Sequence, residues 1–167
     1  IENSSDVKTI EKSDLNLNKL ENSINAHPMI QKSEVFVSVD GVLKAVVQQK
    51  TPVARVIDEQ GSFYIDYEGN TMPLSDNYTA RVPLISGENN VKNKKKLSEV
   101  LKMIYDDEFL KKNIIGVQVL SDESLLMSNR NFDYQIDFGR MLNEEQKFKN
   151  YKAFFQKAIL DSTLYKY

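Results

Sequence analysis

From Leu17 the chain sets apolar side chains at spacings of three and four: Leu17, Leu20 and Ile24 lie on one face of a short helix. Ser13 or Asp14 is placed to cap its start by accepting a backbone N–H. Pro28 disfavours helical geometry at His27 and so predicts the stop. The period then changes to two. Ser33–Val39 and Val42–Gln49 are β-branched runs on either side of Asp40-Gly41, a pair that accepts the positive φ of a tight hairpin. Leu43, Ala45 and Val47 read as one inward face, with Val35 and Val37 as its partner. A two-residue loop would set Val37 opposite Lys44, so the pattern predicts a one-residue bulge beside Gly41. Val53–Val56 is expected as a third strand of this hairpin, with Pro52 at its mouth, where no ladder N–H is needed.

A second block starts near Ile57. Phe63–Asp66 and Thr71–Leu74 flank Tyr67-Glu68-Gly69-Asn70, a further hairpin signature, and Arg81–Ile85 reads as a short strand closed by Ser86-Gly87. Leu97, Val100, Leu101 and Ile104 form an amphipathic helical stripe. Ile114–Leu120, Ser124–Ser128 and Phe132–Phe138 read as three strands joined by polar turns, with Gly139 ending the run. Asn143 with Gln146 resembles a capping box, and Phe148, Tyr151, Phe155 and Ile159 make the next helical stripe. The chain then approaches what looks like another strand at Leu164-Tyr165-Lys166-Tyr167, leaving an open sheet edge unless something covers it. Strands that follow one another as meanders, without βαβ alternation, predict an α+β fold. Its parts are a short helix and hairpin in residues 1–57, after a polar lead-in, and a larger mixed, largely antiparallel sheet with two helices in 58–167.

Composition narrows the chemistry. The 167 residues are 41% hydrophobic and 28% charged, ordinary for a folded domain, and no apolar run reaches the length of a membrane span. No basic segment followed by an apolar one marks a signal peptide. Cys is absent and His27 is the single histidine, so a thiol nucleophile, a Cys zinc site and a His-based dyad are all excluded within one chain. Only Arg55, Arg81, Arg130 and Arg140 are arginine among the 22 basic residues, and the formal charge is −2, which disfavours nucleic acid as a partner.

Each remaining candidate has a plainer reading beside it. His27 at a helix end reads as a residue near the C-terminal dipole rather than a general base. Asp106-Asp107-Glu108 offers oxygen ligands without EF-hand spacing, and a solvated helix break is the better reading. Asp66 and Glu68 share a strand face, but Asp66 at a hairpin turn is expected to bond to the turn backbone. Lys92 and Lys94–Lys96 form the one dense basic patch and read as a solvated helix start. Phosphate loops and the GxSxG elbow do not occur. These residues imply no cofactor, no metal site and no catalytic constellation, and point to a binding or scaffold module. Tyr165 and Tyr167, with Leu164, at a chain end beside a possible open edge, are expected contact residues for a partner.

Residues 14–160 also carry an ordered resemblance. Leu20-Glu21, Pro28-Met29-Ile30, Glu34–Val37, Gly41–Val47 and Gln49–Val56 resemble the distal part of a POTRA domain, and more narrowly that of the FtsQ/DivIB cell-division family. Tyr64–Gly69 and Pro83–Gly87 are similar to that family's segments opening the following β domain, and Ile136–Arg140 with the long helix after it comes in the family's order. Met72–Ser75 with Tyr78–Val82 looks like the branch found in Bacteroidetes-type bacteria. Met29 replaces the family's aromatic, and Gln49-Lys50 its Glu-Arg.

The resemblance implies a partial POTRA domain followed by a β domain, with the first POTRA strand and a transmembrane anchor preceding these residues and a last strand following Tyr167. It implies a non-enzymatic divisome scaffold on the periplasmic side of the inner membrane. Such a scaffold would bind FtsB and FtsL by β-strand addition at the terminal strand region that follows Tyr167, meet other division proteins through its POTRA part, and link septum recruitment to peptidoglycan synthesis. Strand addition gives affinity through the backbone and specificity through side-chain pockets. In this chain the contact surface implied is the helix from Glu144 with Leu164–Tyr167. Two alternatives stand beside it: a POTRA module of outer-membrane protein assembly or secretion, and an envelope hydrolase using Asp66 or Asp137.

Overall fold

The computed structural model describes residues 15–58, 61–75, 78–87 and 94–160. Among them are four helices and nine strands in mixed sheets, the α+β class expected. The chain divides into two compact units, Ile1–Lys50 and Thr51–Tyr167.

The first unit holds α1 (Leu17–Asn25), β1 (Ile30–Val37) and β2 (Leu43–Gln49). Asn16 is the N-cap, its Oδ1 accepting from the Lys19 amide at 2.9 Å; the caps expected from sequence, Ser13 and Asp14, lie outside the described residues. The helix ends at Asn25, before Pro28, as expected. β1 and β2 pair antiparallel with Val35 opposite Ala45 and Val37 opposite Leu43, the apolar register that the bulge was needed to produce. The Gly41 amide donates to the Ser38 carbonyl and the Ser38 amide to the Val42 carbonyl, both at 2.9 Å. Gly41 adopts φ +84°, so the loop carries one residue more than a two-residue turn. Polar bonds tie α1 to β1. The Ser33 amide and hydroxyl donate to Asn25 Oδ1 at 2.7 and 3.0 Å, and the Val35 amide donates to Glu21 Oε2 at 3.0 Å. No residue of α1 is buried and every residue of β2 is exposed.

The second unit is built on β3 (Pro52–Asp58), β4 (Gly61–Asp66), β5 (Thr71–Met72), β6 (Leu84–Gly87), α2 (Lys94–Asp106), α3 (Glu108–Asn113), β7 (Ile114–Val119), β8 (Ser124–Asn129), β9 (Gln135–Arg140) and α4 (Glu144–Leu160). Its seven strands run in the order β5-β4-β3-β6-β7-β8-β9. Two expectations are corrected here. β3 does not extend the first hairpin; it pairs with β4 and β6 near the centre of the larger sheet, and the units meet between Lys50 and Thr51 rather than after Ile57. Val53, Ala54 and Val56 are buried, and successive side chains of a strand point to opposite faces, so this strand needs cover on both. A lone hairpin cannot supply that. Second, the sheet is not all meander. β3, β6 and β7 run parallel, and β6 reaches β7 through α2 and α3, because parallel neighbours need a crossover.

The core takes the predicted α2 stripe, Leu97, Val100, Leu101 and Ile104, together with Phe148, Tyr151 and Phe155 of α4. The side chain of Ile159 is outside the described set. α3 is a third helix where two were expected; Asp107 breaks α2 and caps α3 through bonds of 3.0 Å from the Phe109 and Leu110 amides. The capping box expected at Asn143 is not what starts α4. Asn143 holds φ +55°, and the Gln146 side chain donates to Asn150 Oδ1 at 2.9 Å.

Candidate functional site

His27, Asp66, Asp106, Asp107 and Glu108 each make a structural contact. The exposed His27 accepts from the Met29 amide through Nδ1 at 3.2 Å, closing the turn over Pro28. Asp66 is buried, and its Oδ1 accepts from the Glu68 and Asn70 amides at 3.0 and 2.8 Å, so it organises the β4–β5 turn; Glu68 itself is exposed. Asp106 accepts from the Tyr67 hydroxyl at 2.8 Å, Asp107 caps α3, and Glu108 pairs with Lys112 at 3.8 Å. Among the described residues no cluster of His, Cys, Asp and Glu is arranged to hold a metal ion. Lys94, Lys95 and Lys96 form an exposed first turn of α2, and Lys92 lies outside the described residues, as do Leu164, Tyr165 and Tyr167.

One place combines a hydrogen-bonding edge with an apolar groove. β9 is the last strand of the sheet order and has a strand neighbour, β8, on one side. Against it α4 leaves a groove of about 480 Å³, lined by Tyr134, Ile136, Phe138, Phe148, Tyr151 and Phe154 among others. The rings are ordered. Phe138 meets Phe148 at a centroid distance of 4.8 Å, Tyr134 stacks on Phe132 at 5.5 Å, and Phe154 meets Tyr134 edge-on at 6.0 Å. Phe154 is 51% exposed, unusual for a ring of its size, and supplies an apolar wall facing water.

Below the groove Asn129 Nδ2 donates to the Tyr151 hydroxyl, and both residues are buried. Burial pushes the Tyr151 phenol up, outweighing the hydrogen bond from Asn129, so it stays protonated at neutral pH. The pair anchors the middle of α4 to β8 and so sets the spacing across the groove.

The edge itself is modified. Between the pairs Leu126–Asp137 and Leu125–Gly139, β9 has one residue more than β8, and Phe138 is the extra one. Gly139 takes φ +66° there. Lys147 of α4 crosses to β9, donating to the Phe138 carbonyl at 2.9 Å and the Arg140 carbonyl at 2.5 Å while its ammonium lies 4.9 Å from the Phe138 ring centroid. Asp137 is exposed and lines the same groove. Among the described residues β9 is the outermost strand of its sheet and lies beside an aromatic wall, an arrangement that suits an extended segment pairing by backbone and seating alternate side chains.

The helix expected from Glu144 lines this groove, while Tyr134, Lys147 and Phe154 were not singled out by the sequence. The signal for Phe154 was an aromatic one residue off the buried stripe at Phe155. For Lys147 there was none, since nothing local says which carbonyl a lysine will reach.

The family described as FtsQ/DivIB, C-terminal related, matches this chain over residues 51–167, the whole of the second unit. The chain is also similar to the cell division protein FtsQ of Salinibacter ruber (strain DSM 13855 / M31), with 34% identity over 64 residues. That match takes in 36% of this chain and 25% of the relative, so it spans about a quarter of the curated protein's length.

Proposed function

The chain belongs to the FtsQ/DivIB family, whose role is in cell division, and on that premise we propose that it is a non-catalytic divisome scaffold that binds FtsB/FtsL-type partners by strand addition at the β9 edge. The observation that supports this reading is that, among the described residues, the outermost strand of the sheet and an aromatic groove coincide at one place, β9 with α4. A partner strand laid along β9 would pair its backbone with Gln135–Asp137 and set one side chain against Phe154 and Tyr134. The division of the chain follows the same reading: residues 1–50 form the distal part of a POTRA domain that serves recruitment, and residues 51–167 the partner-binding β domain. The protein then acts at the division site, on the periplasmic side of the inner membrane, and links its partners to septal peptidoglycan synthesis. Among the described residues no helix is long and apolar enough to cross a membrane, so in this reading anchoring is the work of a segment beyond them. Leu164, Tyr165 and Tyr167, which follow α4 in the sequence, extend the contact surface.

Isothermal calorimetry with the periplasmic part of the FtsB–FtsL complex tests the reading. Binding that Phe154→Asp weakens by about tenfold or more supports it, since a charge in a desolvated apolar wall costs at least about 1.4 kcal/mol. Absence of binding by the unsubstituted chain, or binding unaffected by Phe154→Asp and Ile136→Asp, would remove it.

A further inference from the structure

Residues 78–83 belong to no strand or helix, yet the sheet holds them in place. The Ala80 amide donates to the hydroxyl of the buried Tyr64 at 3.1 Å, and the Arg55 amide donates to the carbonyl of the buried Pro83 at 3.0 Å. Two neighbouring strands, β4 and β3, therefore pin this segment along its length. Between it and the corner where α2 gives way to α3 lies a cavity of about 280 Å³, lined by Tyr78, Thr79, Arg81, Tyr105 and Lys111 among others. It belongs to the second unit and shares no residue with the β9 groove.

Its walls carry two cations and no carboxylate. Among the described residues neither Arg81 nor Lys111 is in an ion pair. The Lys111 ammonium lies 3.7 Å from the Tyr105 ring centroid. A ring face attracts a cation without neutralising it, so the ammonium is positioned with its charge intact. The adjoining carboxylate, Asp106, is not on these walls; it accepts from the Tyr67 hydroxyl at 2.8 Å. Tyr67 in turn meets Tyr105 edge-on at 6.1 Å, and Lys102 Nζ lies 5.1 Å from the Tyr67 ring centroid. A third cation thus stands outside the cavity on the same aromatic pair. Positive charges gathered in one concave place attract anions there, and an anion between two of them offsets their repulsion.

We propose that this cavity binds a phosphate group, with Arg81 and Lys111 as its charged ligands. The charge balance favours phosphate over a single carboxylate. A phosphomonoester carries about −1.5 to −2 at neutral pH and three acceptor oxygens, against two fixed positive charges here. The planar guanidinium of Arg81 takes two oxygens of one phosphate at once, and the Lys111 ammonium serves as a point charge for the third. Tyr78, 67% exposed at the mouth, offers a ring face to whatever bears the phosphate. The inference is independent of the strand-addition reading, so either can fail without the other.

Four forms of the full chain test it: unsubstituted, Arg81→Gln, Lys111→Gln and Lys102→Gln. Inorganic phosphate is titrated into each at constant ionic strength and neutral pH, and backbone amide shifts are followed by NMR. The unsubstituted chain is expected to show saturable shifts confined to residues 79–82, Tyr105 and Lys111. Half-saturation is expected at a concentration at least about tenfold below that for acetate. Arg81→Gln and Lys111→Gln should each weaken phosphate binding about tenfold, while Lys102→Gln, which removes the same charge outside the cavity, should change it less than about twofold. The spectrum away from the cavity shows that each variant is folded. Shifts that do not saturate, or a loss as large in Lys102→Gln as in Arg81→Gln, overturn the site. Acetate binding as tightly as phosphate overturns the assignment to phosphate. Flotation with phosphatidylcholine vesicles carrying phosphatidic acid then separates the sources: capture that Arg81→Gln abolishes supports a lipid-borne phosphate, and saturable phosphate binding without capture supports a soluble one.

Discussion

Asp107 and Lys152 join two helices that the sequence keeps 45 residues apart. One carboxylate oxygen of Asp107 caps α3, accepting from the Phe109 and Leu110 amides at 3.0 Å, and the other accepts from the Lys152 ammonium on α4. A single side chain therefore ends α2, starts α3 and fixes α4 over both. Because α4 forms one wall of the β9 groove, this pair also bears on the candidate site. Replacing Asp107 by Ala is expected to destabilise the second unit by about 1–2 kcal/mol, chiefly through the lost cap. Lys152→Met should cost less than about 1 kcal/mol, since the pair is about one-third exposed and screened by water. Urea denaturation of the two variants checks the order.

The same carboxylate makes stability depend on pH. Burial pushes the Asp107 carboxyl up, but the bonds from Lys152, Leu110 and Phe109 outweigh it and hold the group below its ordinary value of 3.8. A depressed carboxyl contributes stability that is fully present above the unfolded value and is lost as pH falls through the folded one. Asp107→Asn should therefore flatten the acid limb below the ordinary value while leaving its shape at neutral pH unchanged. Thermal melts across that window, with and without the substitution, provide the comparison.

Tyr151→Phe removes the acceptor of the buried Asn129 side-chain amide. The phenol oxygen disappears and the donor stays in a dry site, so a cost of about 1–3 kcal/mol is expected, more than the loss of one average hydrogen bond. Asn129→Leu removes the stranded donor but also the acceptor of the Asn131 amide at 2.8 Å, so it should not restore stability. Equal stabilities of Tyr151→Phe and the unsubstituted chain would show that the pair does not hold α4.

Gly87 sits where β6 meets β7, opposite Val119, with φ +95°. A Cβ there would stand 2.1 Å from the Val119 carbonyl oxygen, a backbone atom that cannot turn aside. Gly87→Ala is expected to cost about 3 kcal/mol or more by forcing the parallel pair apart. The readout is loss of amide protection along β6 and β7 ahead of the antiparallel β7–β8 ladder.

Leu101 and Ile104 are both fully buried on the predicted α2 stripe. Leu101→Ala should lower stability by about 2–5 kcal/mol through lost transfer energy and a residual cavity. Leu142→Ala, at a residue 54% exposed, should stay within about 0.5 kcal/mol. Chemical denaturation of the pair tests whether the core lies where the stripe puts it.

Much of this protein was readable from local pattern. Leu97, Val100, Leu101 and Ile104 are apolar at helical spacing, and that spacing alone determined which face of α2 is buried. Asp40-Gly41 between alternating runs determined the first hairpin, and the need to face Val37 with Leu43 determined its extra loop residue. Asp66 in its turn was likewise legible, because it bonds to backbone within four residues, whereas the Met29 amide that His27 accepts from was not foreseen. What pairs across long sequence distance was not. Val53–Val56 reads as a strand in either unit, and only competition for two-sided burial placed β3 between β4 and β6. The parallel crossover from β6 to β7, the Asp107–Lys152 tie and the reach of Lys147 to the Phe138 and Arg140 carbonyls depend on how helices settle on the assembled sheet. Hydrophobic period specifies a face. The partner of that face, and with it the groove beside β9, is decided when the core closes.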